Sequence, residues 1–359
     1  ILLPKDYIRF RLTGEFATEV SDASGTLLFD VANRCWSESM LQALDLPEGW
    51  LPRCYESSEI TGELLPSVAQ SMGLPAGLPV VGGGGDQAAG AVGNGIVAPG
   101  MISAVIGTSG VIFAFSEKPE YDPEGRLHTF CHAVPGAWHL MGVTLAAGGS
   151  LRWLRDELFP LSEATNRAKD DRYAVMTQMA SEVPPGCEGL FFLPYLSGER
   201  TPHADADARG VFVGLSLRHT RAHLIRAVME GVTYSLCDCL ELMQARGVKI
   251  EQIRASGGGA RSQLWRQMLA DAFDAPVLTI NMDEGPAFGA ALLAAVGTGF
   301  FTSVEEACRS TIHLTSQLLP NAQHHEVYRE GHRIYQSIYT HLKSTFKTLA
   351  QFQINATKS

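Results

Sequence analysis

Four consecutive glycines, Gly82 to Gly85, stand between a short apolar run, "LPVV", and a single carboxylate, Asp86. The apolar run predicts a buried strand, and the small residues from Gln87 to Gly93 predict a helix. Glycine allows the tight turn that joins such elements and lets the backbone approach a ligand closely. The feature therefore predicts an α/β fold and makes Asp86 a candidate functional residue.

Two further glycine turns have the same character. The turn from Gly107 to Gly110 separates the β-rich runs "MISAVI" and "VIFAF", which predicts a hairpin. The turn from Gly257 to Ser262 follows a predicted strand and precedes a predicted helix. Glycine turns let backbone N–H groups converge on an anion, so three of them in one chain indicate a phosphorylated ligand, although any one alone could be only a tight turn.

The first turn does not fit a standard nucleotide motif. The pattern GxxxxGK[ST] is absent, and the match of Gly83 to Ala88 to the dinucleotide pattern GxGxxA lacks its acidic partner, since the next acidic residue is Glu117. A bare carboxylate would also repel a pyrophosphate. We therefore expect Asp86 to accept a proton from a hydroxyl that attacks a γ-phosphoryl group, with a helix N-cap as the simpler alternative.

Composition excludes several other classes. The 359 residues are 45% apolar and carry a net charge of -10, with no basic cluster, which argues against a nucleic-acid partner. No charge occurs from Gln87 to Ser116, but glycines break this stretch, so we expect a buried helix and two strands rather than a membrane span. Seven scattered cysteines without a CxxC pair favour a reducing, cytoplasmic setting.

The remaining chain alternates predicted strands and helices. We expect a strand from Thr26 to Val31, a serine-capped helix from Ser37 to Leu44, and a polar amphipathic helix from His324 to Ala350. A long core helix is predicted within "RAHLIRAVMEGVTYSLCDCLELMQARG". The chain length predicts two domains with a boundary near the Gly/Pro connection before Gly100, giving domains 1–98 and 99–345.

A longer pattern identifies a family. The stretch "GVFVGLSLRHTRAHLIRAVME", Gly210 to Glu230, resembles the C-terminal signature of the FGGY carbohydrate kinases. Two other stretches, "LLPKDYIRFRLTGEFATEVSDASGTLLFDV" and "YLSGERTPHADADARG", look like the xylulose kinase branch of that family. The resemblance implies an actin-like, RNase H-like pair of α/β domains that close over ATP, with the sugar bound in the cleft between them.

The resemblance also implies roles for individual residues. Asp86 corresponds to the general base and to a substrate contact, and Gln87 to a second contact with the sugar. The residues expected to bind ATP are Gly107, Thr108, Gly148, Arg152, Gly258 and Ser262. Ser262 stands where some relatives have asparagine. No residue of this chain is expected to ligate a metal.

The activity implied by the resemblance is transfer of the γ-phosphoryl group of ATP to the terminal hydroxyl of D-xylulose, with Mg²⁺ as a cofactor. Glycerol, ribulose and gluconate remain open as acceptors, and a homodimer is left open. Two readings from other classes also remain: an NAD-dependent dehydrogenase, and a non-catalytic nucleotide switch of the actin and chaperone type.

Two features leave questions for the structure. The D-x-G-[TS] hairpin with which family members begin is missing from this sequence, so we expect the chain to start inside the first domain and, alone, to bind ADP weakly and turn over poorly. In "GERTPH", the residues Glu199, Arg200 and His203 form either a loop at the cleft, as the resemblance implies, or an ion-pair cluster on the surface.

Overall fold

The structure, a computed structural model, describes residues 1–159, 169–282 and 285–357. Small helices and two-stranded sheets make up residues 1–81. In chain order these elements are α1 (Pro4–Thr13), β1 (Ala17–Glu19), α2 (Val20–Ala23), β2 (Phe29–Asp30), β3 (Cys35–Trp36), α3 (Glu38–Ala43), β4 (Arg53–Tyr55), β5 (Ile60–Glu63), α4 (Pro66–Met72) and β6 (Pro79–Val81). The pairs are β1 with β4, β2 with β3, and β5 with β6.

The rest of the chain is built on one large sheet and longer helices. Its elements are α5 (Asp86–Gly93), β7 (Met101–Ile106), β8 (Gly110–Ser116), β9 (His128–Cys131), β10 (Trp138–Thr144), α6 (Gly148–Trp153), α7 (Lys169–Ser181), β11 (Phe191–Leu193), β12 (Val211–Val213), α8 (Arg221–Gln244), β13 (Gln252–Ser256), α9 (Gln263–Phe273), β14 (Val277–Ile280), α10 (Gly285–Gly297), α11 (Val304–Thr311), β15 (Leu314–Leu318) and α12 (Ala322–Thr357).

The large sheet is mixed. Its strand order is β15-β14-β13-β7-β8-β10-β9. Strands β14, β13 and β7 run parallel, whereas β7, β8, β10 and β9 form successive antiparallel pairs. The hairpin β7–β8 thus places its turn, Gly107 to Ser109, at the same edge as the carboxyl end of β13, where the third glycine turn begins.

Alternating side chains of the sheet bury two separate cores. Ile102, Ala104 and Ile106 of β7 pack into the main core with residues of α8 and α9. The opposite face of the same sheet, including Val111 and Phe113 of β8, packs with Ala91 and Ile96 of the α5 segment. This period-two alternation explains how an uncharged stretch from Gln87 to Ser116 is buried within a globular fold. No helix in the described residues is long and apolar enough to cross a membrane.

Helices α5 and α10 lie in backbone contact. A Cβ atom added to Gly93 would lie 1.9 Å from the carbonyl oxygen of Gly285, and one added to Gly289 would lie 1.8 Å from that of Ala89. Only glycine permits so close an approach. The helix that begins at Asp86 is therefore held firmly against the large sheet and α10, although it precedes the predicted boundary at residue 98. That boundary stays a prediction.

Most predicted elements are confirmed. The hairpin is β7–β8, the serine-capped helix is α3 with Ser37 as its N-cap, and the long core helix is α8. The helix predicted from His324 to Ala350 lies within α12. The strand predicted from Thr26 to Val31 is wrong apart from its last part: Thr26 Oγ1 donates to the Ala23 carbonyl and accepts from Leu28 N–H. This side chain fixes a turn in place of extended backbone.

Candidate nucleotide and acceptor site

One large pocket gathers the residues predicted to bind ATP. It has a volume of about 960 Å³, which lies within the size range of pockets that bind small ligands. Its lining includes all six of those residues: Gly107, Thr108, Gly148, Arg152, Gly258 and Ser262. Residues that lie up to 155 positions apart in the sequence, from 107 to 262, therefore meet at one site. The roles of these residues stay predictions.

The glycine turns of this pocket interlock. The amides of Ala147 and Gly149 donate to the carbonyl of Thr108 at 2.9 and 3.0 Å, and the amide of Gly148 donates to that of Gly107 at 2.8 Å. On the other side, a Cβ added to Gly257 would lie 2.7 Å from the carbonyl oxygen of Ile106. Glycine is required here because three backbone segments touch.

Donors at the mouth of the turn remain available. Within the described residues, the amides of Thr108 and Ser109 donate to no other group, and the exposed hydroxyl of Thr108 has no partner. Arg152 and Arg261 line the same pocket, are exposed, and make no ion pair with a described residue. Free amides together with unpaired guanidinium groups suit a polyphosphate. Sequence reasoning missed Arg261, although a cation beside a glycine turn was a usable signal.

Helices α7 and α9 supply the wall away from the phosphate turns. Tyr173, Thr177 and Gln178 of α7, with Gln263 and Gln267 of α9, combine aromatic and amide groups there. Such groups suit the base and ribose of a nucleotide. The sequence analysis assigned nothing to this wall.

Ser262 carries a local structural role. Its hydroxyl oxygen caps α9 by accepting from the amide of Trp265 at 3.2 Å. The hydroxyl hydrogen remains able to donate, so capping and a nucleotide contact are compatible.

The first glycine turn uses three of its four glycine amides within the protein. Gly82 N–H donates to the Glu59 carbonyl, Gly83 N–H to the Ser57 carbonyl, and Gly85 N–H to Ser21 Oγ at 3.0 Å. Amides bonded within the protein are not available to a phosphate, and of the four glycines Gly84 alone has an amide that donates to no described residue. The expectation that all three turns share one anion-binding design stays a prediction.

Asp86 is exposed at the start of α5. It is the first residue of that helix and Gly85 is the N-cap, so the capping alternative is wrong as stated. Its Oδ1 accepts from the amide of Gln87 at 2.7 Å, and its Oδ2 lies 3.4 Å from Gln87 Nε2. Both residues lie outside the lining of the nucleotide pocket, because α5 covers the opposite face of the sheet.

A compact charged cluster lies beneath the Asp86 turn. Lys5 Nζ lies 2.8 Å from Asp6, 3.3 Å from Glu19 and 3.6 Å from Asp22. Burial would lower the pKa of Lys5, but the carboxylates of Glu19 and Asp6 raise it. A Cβ added to Gly85 would lie 3.3 Å from Asp22 Oδ1, so carboxylates directly adjoin this turn. The surroundings are unfavourable for a phosphate and compatible with a hydroxylated ligand.

The "GERTPH" segment is not a surface ion-pair cluster. Glu199 is only 3% exposed and makes no ion pair with a described residue. The ring of His203 stacks on that of Tyr339 with 3.4 Å between centroids, and burial lowers the pKa of His203 to about 4. Arg200 alone is exposed. The loop is held against the body of the protein, and Glu199 approaches the end of β10.

The fit of Mg²⁺ was tested against the donor set. No described residue lining the nucleotide pocket is a carboxylate, the ligand type that Mg²⁺ prefers. The one described cluster with metal-ligand character, Asp238, Glu241 and His332, joins α8 to α12. There both nitrogens of the imidazole face carboxylates, at 2.8 and 3.3 Å, so His332 itself acts as the cation. The pocket residues therefore do not form a protein site for Mg²⁺.

Comparison with known proteins decides the family. Sequence patterns of the FGGY family of carbohydrate kinases match residues 1–93, for its N-terminal domain, and 102–298, for its C-terminal domain. The chain belongs to the FGGY family of carbohydrate kinases. It is an ATP-dependent sugar kinase, and it has the actin-like two-domain fold of this family, built on a mixed sheet.

Individual FGGY proteins are similar over almost the whole chain. The chain is 40% identical to a xylulose kinase of Bacillus subtilis, over 99% of this chain and 69% of that protein. It is 45% identical to a xylulose kinase of Escherichia coli, over 95% of this chain and 68% of that protein. A crystal structure described as a xyloylose kinase from Brucella ovis is 36% identical, with a TM-score of 0.88 over 96% of this chain and 69% of that one.

Proposed function

We propose that this chain transfers the γ-phosphoryl group of ATP to the terminal hydroxyl of D-xylulose, giving D-xylulose 5-phosphate and ADP. The observation that carries the proposal is the difference between the glycine turns. The interlocked turns around Thr108 leave amides and guanidinium groups free for phosphates, whereas the turn before Asp86 offers a carboxylate and uses three of its four glycine amides within the protein. The similarity to xylulose kinases supports the choice of acceptor.

The donor side of the reaction rests on positioning. The amides of Thr108 and Ser109 and the side chains of Arg152 and Arg261 would hold the phosphates of ATP. Phosphoryl transfer passes through a loose transition state with charge spread over the transferred group, so such donors lower the barrier mainly by electrostatic stabilisation. We propose that Gly107, Gly148, Gly258 and Ser262 shape the same pocket.

The acceptor side rests on Asp86. Its carboxylate would accept the hydrogen of the attacking hydroxyl as the new P–O bond forms and the bond to the ADP oxygen breaks. The proton then resides on Asp86 and the electron pair on ADP. Gln87, whose amide group lies beside the Asp86 carboxylate, would orient the carboxylate and contact the sugar. Orientation matters more than base strength, because proton transfer comes late in a loose transition state.

Mg²⁺ is proposed as the partner of ATP rather than as a resident of the protein. When bound, it neutralises charge on the phosphate oxygens. No carboxylate occurs among the described residues of the pocket lining, so these residues are not proposed as its ligands. No step described above depends on a protein ligand for the metal.

The acceptor is tested with a panel of sugars. ADP formation is measured with D-xylulose, D-ribulose, glycerol and gluconate at equal concentrations, with a no-sugar control. The expected order places D-xylulose first, and this order tests the proposal whatever the absolute rate. A higher rate with another acceptor would replace D-xylulose, and equal hydrolysis with and without sugar would favour the nucleotide-switch alternative. NADH fluorescence is expected to show no binding, against the dehydrogenase alternative.

A cytoplasmic location and a homodimer are further proposals. The first rests on the scattered cysteines of the sequence. Light scattering coupled to size-exclusion chromatography tests the second, for which a mass of about twice the 38.8 kDa chain is expected.

A further inference from the structure

Glu199 is a buried carboxylate with an unusual set of partners. It is 3% exposed, and no lysine, arginine or histidine of the described residues lies within ion-pair distance of it. Its two oxygens accept instead from neutral donors: Thr144 Oγ1 at 2.6 Å, Leu145 N–H at 3.0 Å and Arg200 N–H at 2.7 Å. Ionised carboxylates are rarely buried without a cation, so this one requires a reason.

The residues that bond to Glu199 lie next to the segment that contacts the Thr108 turn. Thr144 is the last residue of β10 and Leu145 the first residue after it. The next residues, Ala147 to Gly149, donate three amide hydrogen bonds to the carbonyls of Gly107 and Thr108. Glu199 therefore fixes the strand end from which the interlocked turns of the nucleotide pocket emerge.

We propose that Glu199 is a positioning residue for nucleotide phosphates, holding Thr144 and Leu145 so that the segment to Gly149 keeps the Thr108 turn in its binding geometry. The ionised carboxylate performs this role, since it accepts from all three donors at once, whereas a protonated one must donate one bond. Glu199 does not line the nucleotide pocket, so it acts through the backbone. The inference rests on the assignment of this pocket to ATP.

The surroundings of Glu199 make this ionisation sensitive to pH near neutrality. Burial, together with the charge of Asp238 on α8, raises the pKa of Glu199 to about 7, although its hydrogen bonds lower it. The other titratable groups that interact with it are Cys239 on α8, Tyr195 after β11 and Tyr335 on α12, and burial raises the pKa of each, which keeps them neutral at pH 7. Among Glu199 and these three neighbours, the Glu199 carboxylate is thus the group that changes charge between pH 6 and 8. The affinity for phosphate-bearing ligands should therefore rise as the Glu199 carboxylate ionises.

The test compares two ligands that differ only in phosphate. Dissociation constants for ADP and adenosine are measured by calorimetry from pH 6 to 8 with the wild-type chain and Glu199→Gln. At pH 8 the variant is expected to bind ADP about ten-fold more weakly and adenosine unchanged, since a carboxamide cannot accept all three bonds. The ratio of the ADP dissociation constant of Glu199→Gln to that of the wild-type chain should fall towards one at pH 6, where wild-type Glu199 is protonated. This ratio cancels the titration of ADP itself.

Glu230→Gln is the matched control. Glu230 is also buried but pairs with Arg226 at 2.7 Å and makes no bond to β10, so its replacement should leave the ADP to adenosine ratio unchanged. If circular dichroism shows that Glu199→Gln does not fold, Thr144→Val removes one of the same bonds and should weaken ADP about three-fold.

Two outcomes would overturn the inference. Equal weakening of ADP and adenosine would make Glu199 a support of the whole pocket, and an affinity ratio that does not change with pH would remove the role of its charge. If the wild-type chain binds neither ADP nor adenosine, the assignment of the pocket to ATP is wrong. This result differs from the two outcomes above, in which the wild-type chain binds both ligands.

Discussion

The turn from Gly82 to Gln87 and the turn from Gly107 to Gly110 are both rich in glycine, but their surroundings differ in chemistry. The first uses three of its four glycine amides within the protein, whereas the amides of Thr108 and Ser109 in the second donate to no described residue. Carboxylates of Glu19 and Asp22 adjoin the first turn, while two arginines that form no ion pair with a described residue lie in the pocket with the second. Glycine therefore makes a ligand approach possible without deciding which ligand approaches.

The neighbours of each turn make that decision. An anion is favoured where free N–H groups and cations converge, and disfavoured where carboxylates do. The proposed function places phosphates on the Thr108 side and a neutral hydroxylated molecule on the Asp86 side. A kinase needs both kinds of site, since it joins a polyphosphate to an alcohol.

The largest effect that separates the two turns is expected for Asp86→Asn. Loss of the proton acceptor should lower the rate of sugar-dependent ADP formation by about 10³-fold, within the range for general acid–base groups. The dissociation constant for ADP should change less than two-fold, because Asp86 lies outside the nucleotide pocket. Parallel rate and calorimetric measurements check both. Equal losses of rate and of ADP affinity would make Asp86 a structural residue, and the two turns would then not differ in the way proposed.

A second substitution tests the pocket by filling it. Gly258 has no protein atom within 4 Å of an added Cβ, so Gly258→Val should project into the pocket and weaken ADP about 100-fold with little change in thermal stability. Gly93→Ala is the opposite control: its Cβ would lie 1.9 Å from the Gly285 carbonyl, so it should lower the melting temperature. Differential scanning fluorimetry with and without ADP measures both quantities. Unchanged ADP affinity in Gly258→Val would remove the nucleotide from this pocket.

The two free arginines should give a smaller effect. Arg152→Ala and Arg261→Ala are each expected to weaken ADP about five-fold and adenosine hardly at all, since exposed charges are screened by solvent. The loss should shrink as salt concentration rises. Arg333→Ala, on the exposed face of α12 and paired with Glu330, serves as the control with no expected change. A larger effect on adenosine than on ADP would place the phosphates elsewhere.

The smallest effect concerns stability rather than binding. The pKa of Glu199 is about 7 in the folded chain and close to the ordinary value of 4.5 in the unfolded chain, so the folded chain binds more protons between these pH values. Protonated Glu199 therefore stabilises the fold at low pH by up to roughly 3 kcal/mol relative to high pH. This stabilisation is lost as the pH rises through 7. Glu199→Gln should be more stable than wild type at pH 8 and lose that advantage by pH 5.

Urea unfolding at the two pH values measures this difference. A variant that is more stable yet binds ADP more weakly would show that the buried charge serves the nucleotide turn at a cost in stability. If the variant is less stable than wild type at pH 8, the ionised Glu199 does not destabilise the fold. The role of Glu199 in ADP binding would then be tested by the dissociation constants alone.

The sequence predicted the elements that depend on local patterns. The β-rich runs on either side of "GTSG" were sufficient to predict the β7–β8 hairpin, and Ser37 was sufficient to predict the start of α3. It failed at Thr26, where a side chain closes a turn within an apparently β-rich run. Local propensity cannot anticipate such competition between side chain and backbone.

The site was predicted unevenly for a different reason. Family resemblance placed six residues that the structure brings into one pocket, but it missed Arg261 and the α7 wall. The burial of Glu199 depends on β10 and α8, which lie tens of residues away in the chain, so the sequence left its role open. Occupied and free amides likewise appear only once the tertiary partners of each turn are known.

A crystal structure with bound ADP tests the central claim most directly. The β-phosphate is expected within hydrogen-bond distance of the amides of Thr108 and Ser109, with the adenosine against α7 and α9 and no phosphate near Gly83 to Gly85. A phosphate bound at the Gly83 to Gly85 turn, beside Asp86, would contradict the assignment of the two turns.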